Sequence, residues 1–324
     1  MPQGCLKRFL LAAMLIFAAL LALLAYTFIP RKIDVKAYET GPPVFHSSDS
    51  ANTTAPTDLT LSLIKCGKMI SKQSFVYRGG SWSDEFESGM AAVLVRHPKA
   101  TFLFDTGFGA NIDEHVKSIP SLMKALTNYV KEVPAAAQLR EQGIAPEQIN
   151  MILISHSHWD HVSGWEDFAQ TEGWMMKEEA AYVRTLPDRE LIKQMIDKVK
   201  LREIELAGGP YENFDRSLDL FNDGSVVLVP LPGHTPGSMG MFVNLRSGKR
   251  FFFIGDLTWS IEGVQIPAER PWISRKLVDR DEDEVRRSIV KVHQLLNRYP
   301  DLTVVPAHDR RVHDKIASFP EVER

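Results

Sequence analysis

His156-Ser157-His158-Trp159-Asp160-His161 directly follows the apolar run Met151–Ile154, and this junction decides how the rest of the chain is interpreted. Imidazole suits zinc and iron, and a carboxylate adds an anionic oxygen ligand, so the segment is rich in metal ligands. The two-residue period of a strand aims His156 and His158 the same way, and a turn after them directs Asp160 and His161 to a second position. The segment therefore predicts a metal site, and one for two ions; the alternative is a loop of surface histidines.

Further ligand-type side chains follow later apolar runs that are predicted to be strands. His234 lies in the glycine-rich turn after the first run, Asp256 follows the second and His308 follows the third. Strands hold side chains rigidly, while the loops at their ends leave room for a substrate. Taken singly, such residues are ordinary turn or cap residues, but in order with the first segment they predict a catalytic cleft at one sheet edge. The three runs are Val226–Leu231, Phe251–Ile254 and Leu302–Val305.

This order of motifs resembles that of the metallo-β-lactamase superfamily. It consists of His-x-His-x-Asp-His, then Gly-His-Thr-Pro-Gly, then Gly-Asp and a last histidine. The likeness runs from about Leu59 to the C-terminus and includes Phe104-Asp105-Thr106-Gly107, which is similar to the early strand-turn motif of the family. The resemblance implies an α/β fold, a four-layer αβ/βα sandwich with the metals at one edge. Here that fold is expected to be preceded by an N-terminal transmembrane helix.

The resemblance also implies a role for each residue of the motifs. Asp256 would bridge two divalent ions, and Asp105 would orient the ligand imidazoles from outside the ligand set. Zinc is the first expectation for both ions, with iron or manganese as alternatives. The first ion would be held by His156, His158 and His234, and the second by Asp160, His161 and His308.

Two features of the sequence limit the branches of the superfamily to which the chain can be similar. The cysteines, Cys5 and Cys66, lie outside the ligand motifs, and Asp256 is present, which argues against antibiotic hydrolysis. The spacing from Asp256 through the charged stretch Asp281–Ile289 to the last histidine is similar to that of the N-acyl homoserine lactonases. Those enzymes carry a catalytic tyrosine three residues beyond the bridging aspartate, where this chain has Trp259. An indole can donate a hydrogen bond but cannot protonate a leaving group.

The expected reaction is hydrolysis of an ester, lactone or thioester in a small-molecule substrate. Two divalent ions lower the pKa of a shared water, so that a bridging hydroxide attacks the carbonyl. Asp160 and Asp256 are the catalytic candidates for proton transfer, and Asp160 is preferred because an aspartate shared by two ions is too acidic. The alternatives are a glyoxalase II-like thioesterase, a phosphodiesterase, or a non-catalytic metal-binding relative.

The N-terminal run Phe9–Ile29 is apolar without interruption, preceded by Lys7 and Arg8 and followed by Arg31 and Lys32. At about 1.5 Å per residue it reaches the ~30 Å of a bilayer core. The sequence therefore predicts a single-pass membrane protein whose catalytic domain lies in the periplasm or outside the cell. The alternative is a cleaved signal peptide, although the apolar part of such a segment is usually ~7–15 residues.

The chain is accordingly divided into residues 1–30 as anchor or signal segment, 31–58 as a flexible linker rich in Pro, Ser, Thr and Asn, and 59–324 as the hydrolase domain. A formal net charge of −3 without a basic stripe argues against a nucleic-acid partner. The expected partners are a small-molecule substrate and, through the N-terminal segment, the lipid bilayer. The oligomeric state is left open.

Two helical segments are predicted beside the motifs. Asp281–Arg298 has one apolar face and ends before Pro300, which predicts a helix that covers the sheet. Residues Pro187–Leu206 are charged and amphipathic, and they form either a solvated face, the favoured interpretation, or a lid. The tryptophans near the motifs are either a pocket wall or ordinary core and rim residues; they are Trp82, Trp159, Trp165 and Trp259.

Overall fold

The computed structural model describes residues 3–39, 55–117, 119 and 121–324, and within them two β-sheets are stacked face to face. The larger sheet has the strand order β4-β1-β2-β3-β5-β6-β7 and the smaller has the order β12-β11-β10-β9-β8. The strands of the larger sheet are β1 Thr60–Lys72, β2 Glu85–His97, β3 Ala100–Phe104, β4 Asn128–Lys131, β5 Met151–Leu153, β6 Gly173–Met176 and β7 Leu201–Ile204. Those of the smaller sheet are β8 Leu218–Asp219, β9 Val226–Pro230, β10 Met239–Asn244, β11 Arg250–Phe253 and β12 Leu302–Val305.

The alternation of side chains along β1 separates an inner core from an outer one. Leu61 and Leu63 face the space between the sheets, where they join Met241 and Phe253 of the smaller sheet in one buried cluster. Ile64 points the opposite way and belongs to the cluster beneath the helices. Because successive strand residues face opposite sides, a strand that is apolar on both faces is buried between two layers.

Helices cover the outer face of each sheet, which confirms the four-layer αβ/βα arrangement that the sequence predicts. Helices α5, α7 and α8 pack on the larger sheet, and α11 packs on the smaller one. The helices are α1 Gln3–Phe28, α2 Val35–Tyr38, α3 Ile112–Lys117, α4 Ser121–Leu126, α5 Ala135–Glu141, α6 Trp159–Val162, α7 Lys177–Thr185, α8 Leu191–Ile196, α9 Glu262–Gln265, α10 Trp272–Val278, α11 Glu282–Arg298 and α12 Arg310–His313. The predicted helix Asp281–Arg298 is confirmed as α11, with Asp281 as its N-cap accepting hydrogen bonds from the backbone N–H groups of Asp283 and Glu284 at 3.0 Å.

The apolar runs that precede the motifs form the strands β5, β9, β11 and β12, as predicted. β3 is parallel to β5, and β11 is parallel to β12. β9 and β11 are both antiparallel to β10, which lies between them, so they also run the same way. The loops after these strands therefore meet at one edge of the sandwich, where the motif residues lie.

The segment after α1 differs from the predicted flexible linker. Ile33 is buried in the core of the smaller sheet, and its backbone N–H donates to the carbonyl of Pro267 at 2.8 Å. α2 packs beside α11, where the hydroxyl of Tyr38 donates to Asp283 at 3.1 Å. Composition alone predicted a tether, but the burial of Ile33, its backbone hydrogen bond and the contacts of α2 hold residues 31–39 against the domain. Residues 40–54 of the predicted linker lie outside the described residues.

The N-terminal helix is long and apolar enough to cross a membrane over Lys7–Phe28, judged by length and composition. Its apolar side chains are exposed for most of this length. Exposed apolar surface of this extent is costly in water, so the helix needs a covering that the described part of the chain does not supply.

Candidate metal centre

The first motif leaves β5 at Leu153 and turns into α6 within a few residues. Ser155, His156 and His161 are buried, and His158 is partly exposed. The backbone N–H of His161 donates to the carbonyl of His158 at 3.0 Å, which begins the helix and swings its side chain away from that of His158. The turn thus separates the pair His156 and His158 from the pair Asp160 and His161, as the sequence predicts.

The later motifs bring their residues to the same edge. His234 follows β9, Asp256 follows β11 and His308 follows β12, and all three are buried. Gly233 has a φ of +126°, and a Cβ there would lie 2.4 Å from the backbone nitrogen of Val285. A side chain at this position would collide with the start of α11, so the turn that delivers His234 requires glycine.

The structure brings the seven predicted residues together in two adjoining groups. In each group the ligand-type atoms all lie within 4.8 Å of one another. In the first group, Nδ1 of His158 and Nε2 of His234 are 2.8 Å apart. The first group contains His156, His158, His234 and Asp256, and the second contains Asp160, His161 and His308.

Asp256 lies between the two groups with one oxygen toward each. Its Oδ1 is 2.9 Å from Nε2 of His308 and 3.2 Å from Nε2 of His161. Its Oδ2 is 3.5 Å from Nε2 of His234. A carboxylate placed in this way can share its two oxygens between two ions.

The side chains present fit a metal centre better than a hydrogen-bonded core. Within the described residues, Nε2 of His156, Nε2 of His161 and Oδ1 of Asp256 are buried and have no hydrogen bond of normal geometry. Leaving one such group unsatisfied costs about 1–3 kcal/mol. Three of them converging on the same small volume are accounted for if they coordinate cations.

Partners outside the two groups determine which imidazole nitrogen faces the centre. Nδ1 of His161 donates to Asp105 at 2.9 Å, Nδ1 of His234 donates to Asp279 at 2.9 Å, and Nδ1 of His308 donates to the carbonyl of Gly89 at 3.0 Å. In each case Nε2 is left to point inward. Such outer contacts fix the tautomer and the ring orientation of a metal-binding histidine.

Asp105 occupies a special backbone position under the first motif. Its φ of +56° is in the left-handed region, which aspartate tolerates better than most residues. From there it accepts hydrogen bonds from the backbone N–H and from the hydroxyl of Ser155, each at 2.7 Å, besides the one from His161. Asp105 therefore lies where it can orient the imidazole of His161, as expected.

Glu179, which the sequence analysis did not single out, joins two of the ligand loops. The side chain is fully buried on α7 and accepts from the backbone N–H and the hydroxyl of Ser157 at 2.8 and 2.6 Å. Its other oxygen accepts from the backbone N–H of Gly237 at 2.9 Å. One carboxylate thus ties the loop of His156 and His158 to the loop of His234.

Arg270 is a second residue that sequence reasoning missed. Its buried guanidinium donates to the backbone carbonyl of Asp256 and, at 2.9 Å, to Asp279, the partner of His234. It also lies over the ring of Trp259, with 4.6 Å from Cζ to the ring centroid. Neither Arg270 nor Asp279 belongs to a recognisable motif, so only the fold reveals them.

The electrostatics of the centre differ between its two sides. Burial, and then the neighbouring histidines, hold the pKa values of His156 and His158 well below the usual range, so both are in the neutral form that binds metals. Burial also lowers the pKa of His161, but Asp256 and Asp105 outweigh it and raise that pKa well above the usual range. An ion that binds beside His161 therefore has to displace a proton.

Asp256 is held as a carboxylate. Burial raises its pKa, but His308 and His161 outweigh this effect, so the pKa lies well below its usual range. An aspartate with such a low pKa is a poor proton acceptor at neutral pH. This favours Asp160, whose Oδ2 is 3.3 Å from Nε2 of His308, as the residue that transfers protons.

A cavity of about 260 Å³ opens beside the centre and has largely apolar walls. Its polar floor is formed by residues of the two groups, including His158, Asp160 and Asp256. Leu191 and Ile192 of α8 line it, so part of the segment Pro187–Leu206 covers the cavity instead of forming only a solvated face. The segment also differs from the continuous helix predicted there, because α8 ends at Ile196 and the chain continues as strand β7.

Of the four tryptophans near the motifs, two line the cavity and two are core or rim residues, so each of the two interpretations holds for part of the set. Trp159 and Trp259 line the cavity, Trp165 is buried in the core and Trp82 is exposed. Nε1 of Trp259 donates to Oδ2 of Asp256 at 2.8 Å, so the indole lies directly against the aspartate.

Comparison with known proteins agrees with this geometry. Residues 90–308 match the profile of the metallo-beta-lactamase superfamily. Over 242 residues the chain is 28% identical to a probable metallo-hydrolase of Mycobacterium tuberculosis, covering 67% of this chain and 73% of the relative. Over 261 residues it is 23% identical to the N-acyl homoserine lactonase AttM of Agrobacterium fabrum, covering 78% of this chain and 94% of the relative.

Solved structures share the fold. One is an N-acyl homoserine lactone hydrolase with the product N-hexanoyl-L-homoserine at its catalytic metal centre, with a TM-score of 0.65 and 17% identity over 82% of this chain and 98% of that one. Another is a mutant of the AiiA protein of B. thuringiensis with N-decanoyl-L-homoserine bound at the active site, with a TM-score of 0.66 and 17% identity over the same shares of the two chains.

Proposed function

The chain belongs to the metallo-β-lactamase superfamily and is a metal-dependent hydrolase, and from this premise we propose that it is a binuclear enzyme that cleaves a carboxylic ester, lactone or thioester. The observation that carries the proposal is the position of Asp256, with Oδ1 toward His161 and His308 and Oδ2 toward His234. Similarity to N-acyl homoserine lactonases supports a carbonyl substrate.

Each ion would have its own ligands and would share Asp256. His156, His158 and His234 would hold the first, and Asp160, His161 and His308 the second. When bound, two divalent ions lower the pKa of a water molecule and polarise the carbonyl that it attacks. Zinc is the first expectation because nitrogen and carboxylate ligands suit it, with iron or manganese as alternatives.

Asp160 is the proposed proton carrier. It lines the cavity and keeps contact with solvent, whereas Asp256 is held ionised among histidines. In the reaction, water adds to the carbonyl carbon, the acyl–oxygen or acyl–sulfur bond breaks, and Asp160 passes the proton of the water to the leaving alkoxide or thiolate. The products are a carboxylic acid and an alcohol or thiol.

The walls of the cavity favour an apolar acyl group. Met69, Met90 and Ile119 line it, together with Leu191 and Ile192 of α8. A cavity with apolar walls and a polar floor orients a substrate by burying its hydrocarbon part and directing its carbonyl to the floor. This favours a substrate with a hydrocarbon chain to bury, while Arg280, a cationic side chain of the lining, can partner a carboxylate or phosphate oxygen.

The proposed location is the membrane, with the apolar stretch Lys7–Phe28 as a single-pass anchor and the hydrolase domain outside the cytoplasm. Lys7 and Arg8 at the N-terminal end of this stretch agree with a cytoplasmic N-terminus. A cleaved signal segment is the alternative. The division into an N-terminal segment, a connection and a hydrolase domain is part of the same proposal.

A substrate panel on metal-loaded protein tests the proposed reaction. We expect hydrolysis of p-nitrophenyl acetate, a γ-lactone and a thioester, and much slower hydrolysis of bis-p-nitrophenyl phosphate. Asp256→Ala should abolish the carboxylic activities, while Asp301→Ala, which removes an exposed carboxylate outside the site, should retain them. Preference for the phosphodiester would replace this proposal by the phosphodiesterase alternative, and a metal-loaded protein without any activity would favour a binding role.

A further inference from the structure

The end of the N-terminal helix is fixed to the hydrolase domain by Arg78. This buried guanidinium donates to the backbone carbonyl of Tyr26 at 2.8 Å and to that of Ile29 at 3.0 Å. It also lies over the ring of Tyr26, with 5.1 Å from Cζ to the centroid. Helix ends leave carbonyls without intrahelical partners, and an arginine that satisfies them sets the helix at a defined place on the domain.

An aromatic cluster continues from the helix end to the wall of the cavity. The ring of Phe28, the last residue of α1, is 5.6 Å from that of Phe75 and 4.3 Å from that of Trp82. Phe75 itself lines the cavity, and its carbonyl accepts a hydrogen bond at 2.8 Å from Ser274, which also lines it. The end of the N-terminal helix therefore packs directly against a residue of the cavity wall.

Exposed apolar side chains surround the cavity on this side. Trp82 is 56% exposed beside Phe28, and Leu277, which lines the cavity from α10, is 39% exposed. α10 packs beside α1, and Leu122 on α4 is 42% exposed next to the cavity-lining Met123. Tryptophan is enriched where protein meets the polar surface of a bilayer, since its ring is apolar and its N–H remains hydrated.

We propose that the cavity opens onto the membrane surface and that its substrate is a single-chain amphiphile partitioned in the bilayer, an ester, lactone or thioester of a long acyl chain. The chain would leave the bilayer past Leu277 and enter between the apolar walls, with its carbonyl at the metal centre. This inference rests on the proposed function and on the proposed anchor, and it adds the side from which substrate arrives.

The size of the cavity limits the substrate to one chain. A volume of about 260 Å³ is below the ~300–1,000 Å³ of typical ligand sites, which favours one acyl chain over the two chains of a diacyl lipid. Burial of each methylene in such a cavity increases kcat/KM by roughly fourfold, until the chain fills the space. We therefore expect a steep dependence on acyl length among short chains and a plateau among long ones.

Hydrolysis by the full-length protein in phosphatidylcholine vesicles tests the proposal. The probes are p-nitrophenyl acetate, which stays in water, and p-nitrophenyl dodecanoate, which partitions into the bilayer. Trp82→Asp places a charge beside the end of α1, on a side chain that does not itself line the cavity but packs against Phe75 of its wall, with 5.8 Å between the ring centroids. Val133→Asp is the matched control, because Val133 is 45% exposed but does not line the cavity. We expect Trp82→Asp to lower kcat/KM for the dodecanoate at least tenfold and to leave the acetate unchanged, with Val133→Asp unaffected on both.

Equal effects of Trp82→Asp on the two esters, or none on either, would overturn the membrane-side entrance. Absence of hydrolysis of both esters by the parent, together with inactivity on the γ-lactone and the thioester of the substrate panel, would instead overturn the proposed function. Fluorescence quenching by brominated phosphatidylcholine tests the orientation of the domain on the membrane without an activity assay. Trp82 should account for much of the emission that the brominated lipid quenches, and the Trp82→Phe protein should lack this quenched component. Equal quenching of parent and Trp82→Phe would overturn the proposal without reference to activity.

Discussion

Replacement of Glu179 by alanine is expected to destabilise the fold and to weaken metal binding at the same time. The carboxylate accepts hydrogen bonds from the backbone N–H groups of Ser157 and Gly237 and from the hydroxyl of Ser157, and it is fully buried. Alanine leaves these donors without an acceptor between two loops that carry three of the proposed ligands. The loops then lose the contact that sets their separation.

The expected magnitude follows from counting the orphaned donors. The Ser157 hydroxyl can rotate to another acceptor, but the two backbone N–H groups cannot, and each costs about 1–3 kcal/mol when buried and unsatisfied. The free energy of unfolding should therefore fall by about 2–6 kcal/mol, a large part of the ~5–15 kcal/mol of a typical domain. Loss of an outer partner of a metal site lowers metal affinity by about 10–100-fold.

Urea unfolding of the metal-free, full-length protein in detergent micelles, followed by far-ultraviolet circular dichroism, measures the first effect. Competition with a chelating dye measures the second. Glu178→Ala is the matched control, because that neighbouring side chain forms a partly exposed ion pair with Arg216 at 3.1 Å, worth about 0–1 kcal/mol.

Glu179→Gln keeps one acceptor oxygen and should lie between alanine and the parent. Unchanged metal affinity in a destabilised Glu179→Ala protein would refute a role in positioning the ligands. Unchanged stability would refute the hydrogen-bond argument itself.

Three further predictions address the leaving group, the pH dependence and the membrane. Trp259→Tyr places a phenol where an indole now donates to Asp256 at 2.8 Å, so the ratio of kcat/KM for γ-lactones to that for p-nitrophenyl esters should rise; a ratio that stays the same or falls would show that another acid, such as Asp160, assists the leaving group. Burial lowers the pKa of His313 to about 4 from 6.5. Between these two pH values the imidazole is protonated in the unfolded chain and neutral in the folded chain. Stability present above pH 6.5 should be lost, by up to about 3 kcal/mol, as the pH falls toward 4; His313→Gln should show a shallower loss over this interval, and identical slopes would exclude His313 as the cause. The full-length chain should remain with membranes through high-salt washing and leave with detergent, since burial and not charge holds an apolar helix; a soluble mature chain beginning near Tyr26 would identify a cleaved signal instead.

The fold was expected from the resemblance of the motifs to the superfamily, whereas the composition of the centre was predicted from ligand-type residues that follow apolar runs. Apolar runs such as Val226–Pro230 and Leu302–Val305 are strands buried on both faces. The residues that follow such strands lie at the edge of the sheet. His234, Asp256 and His308 therefore come together even though the first two are 22 positions apart in the chain.

Residues that act through a tertiary contact left no local signal. Glu179 lies on a charged helix and Asp279 in a loop, and only the packing of α7 and α10 against the ligand loops brings them to Ser157 and His234. The flexible linker was predicted from composition, and composition does not indicate that the side chain of Ile33 is buried. Arg78 was overlooked for the same reason, because its partners are backbone carbonyls 49 and 52 residues away.

The metal content of the purified protein tests the binuclear centre most directly. After expression with ample zinc, iron and manganese, elemental analysis should give close to two ions per chain, since the ligand-type residues form two groups. His308→Ala should retain close to one ion, while Asp256→Ala should disturb both sites because its oxygens face both groups. One ion or none in the parent protein, or a full complement in Asp256→Ala, would contradict the account.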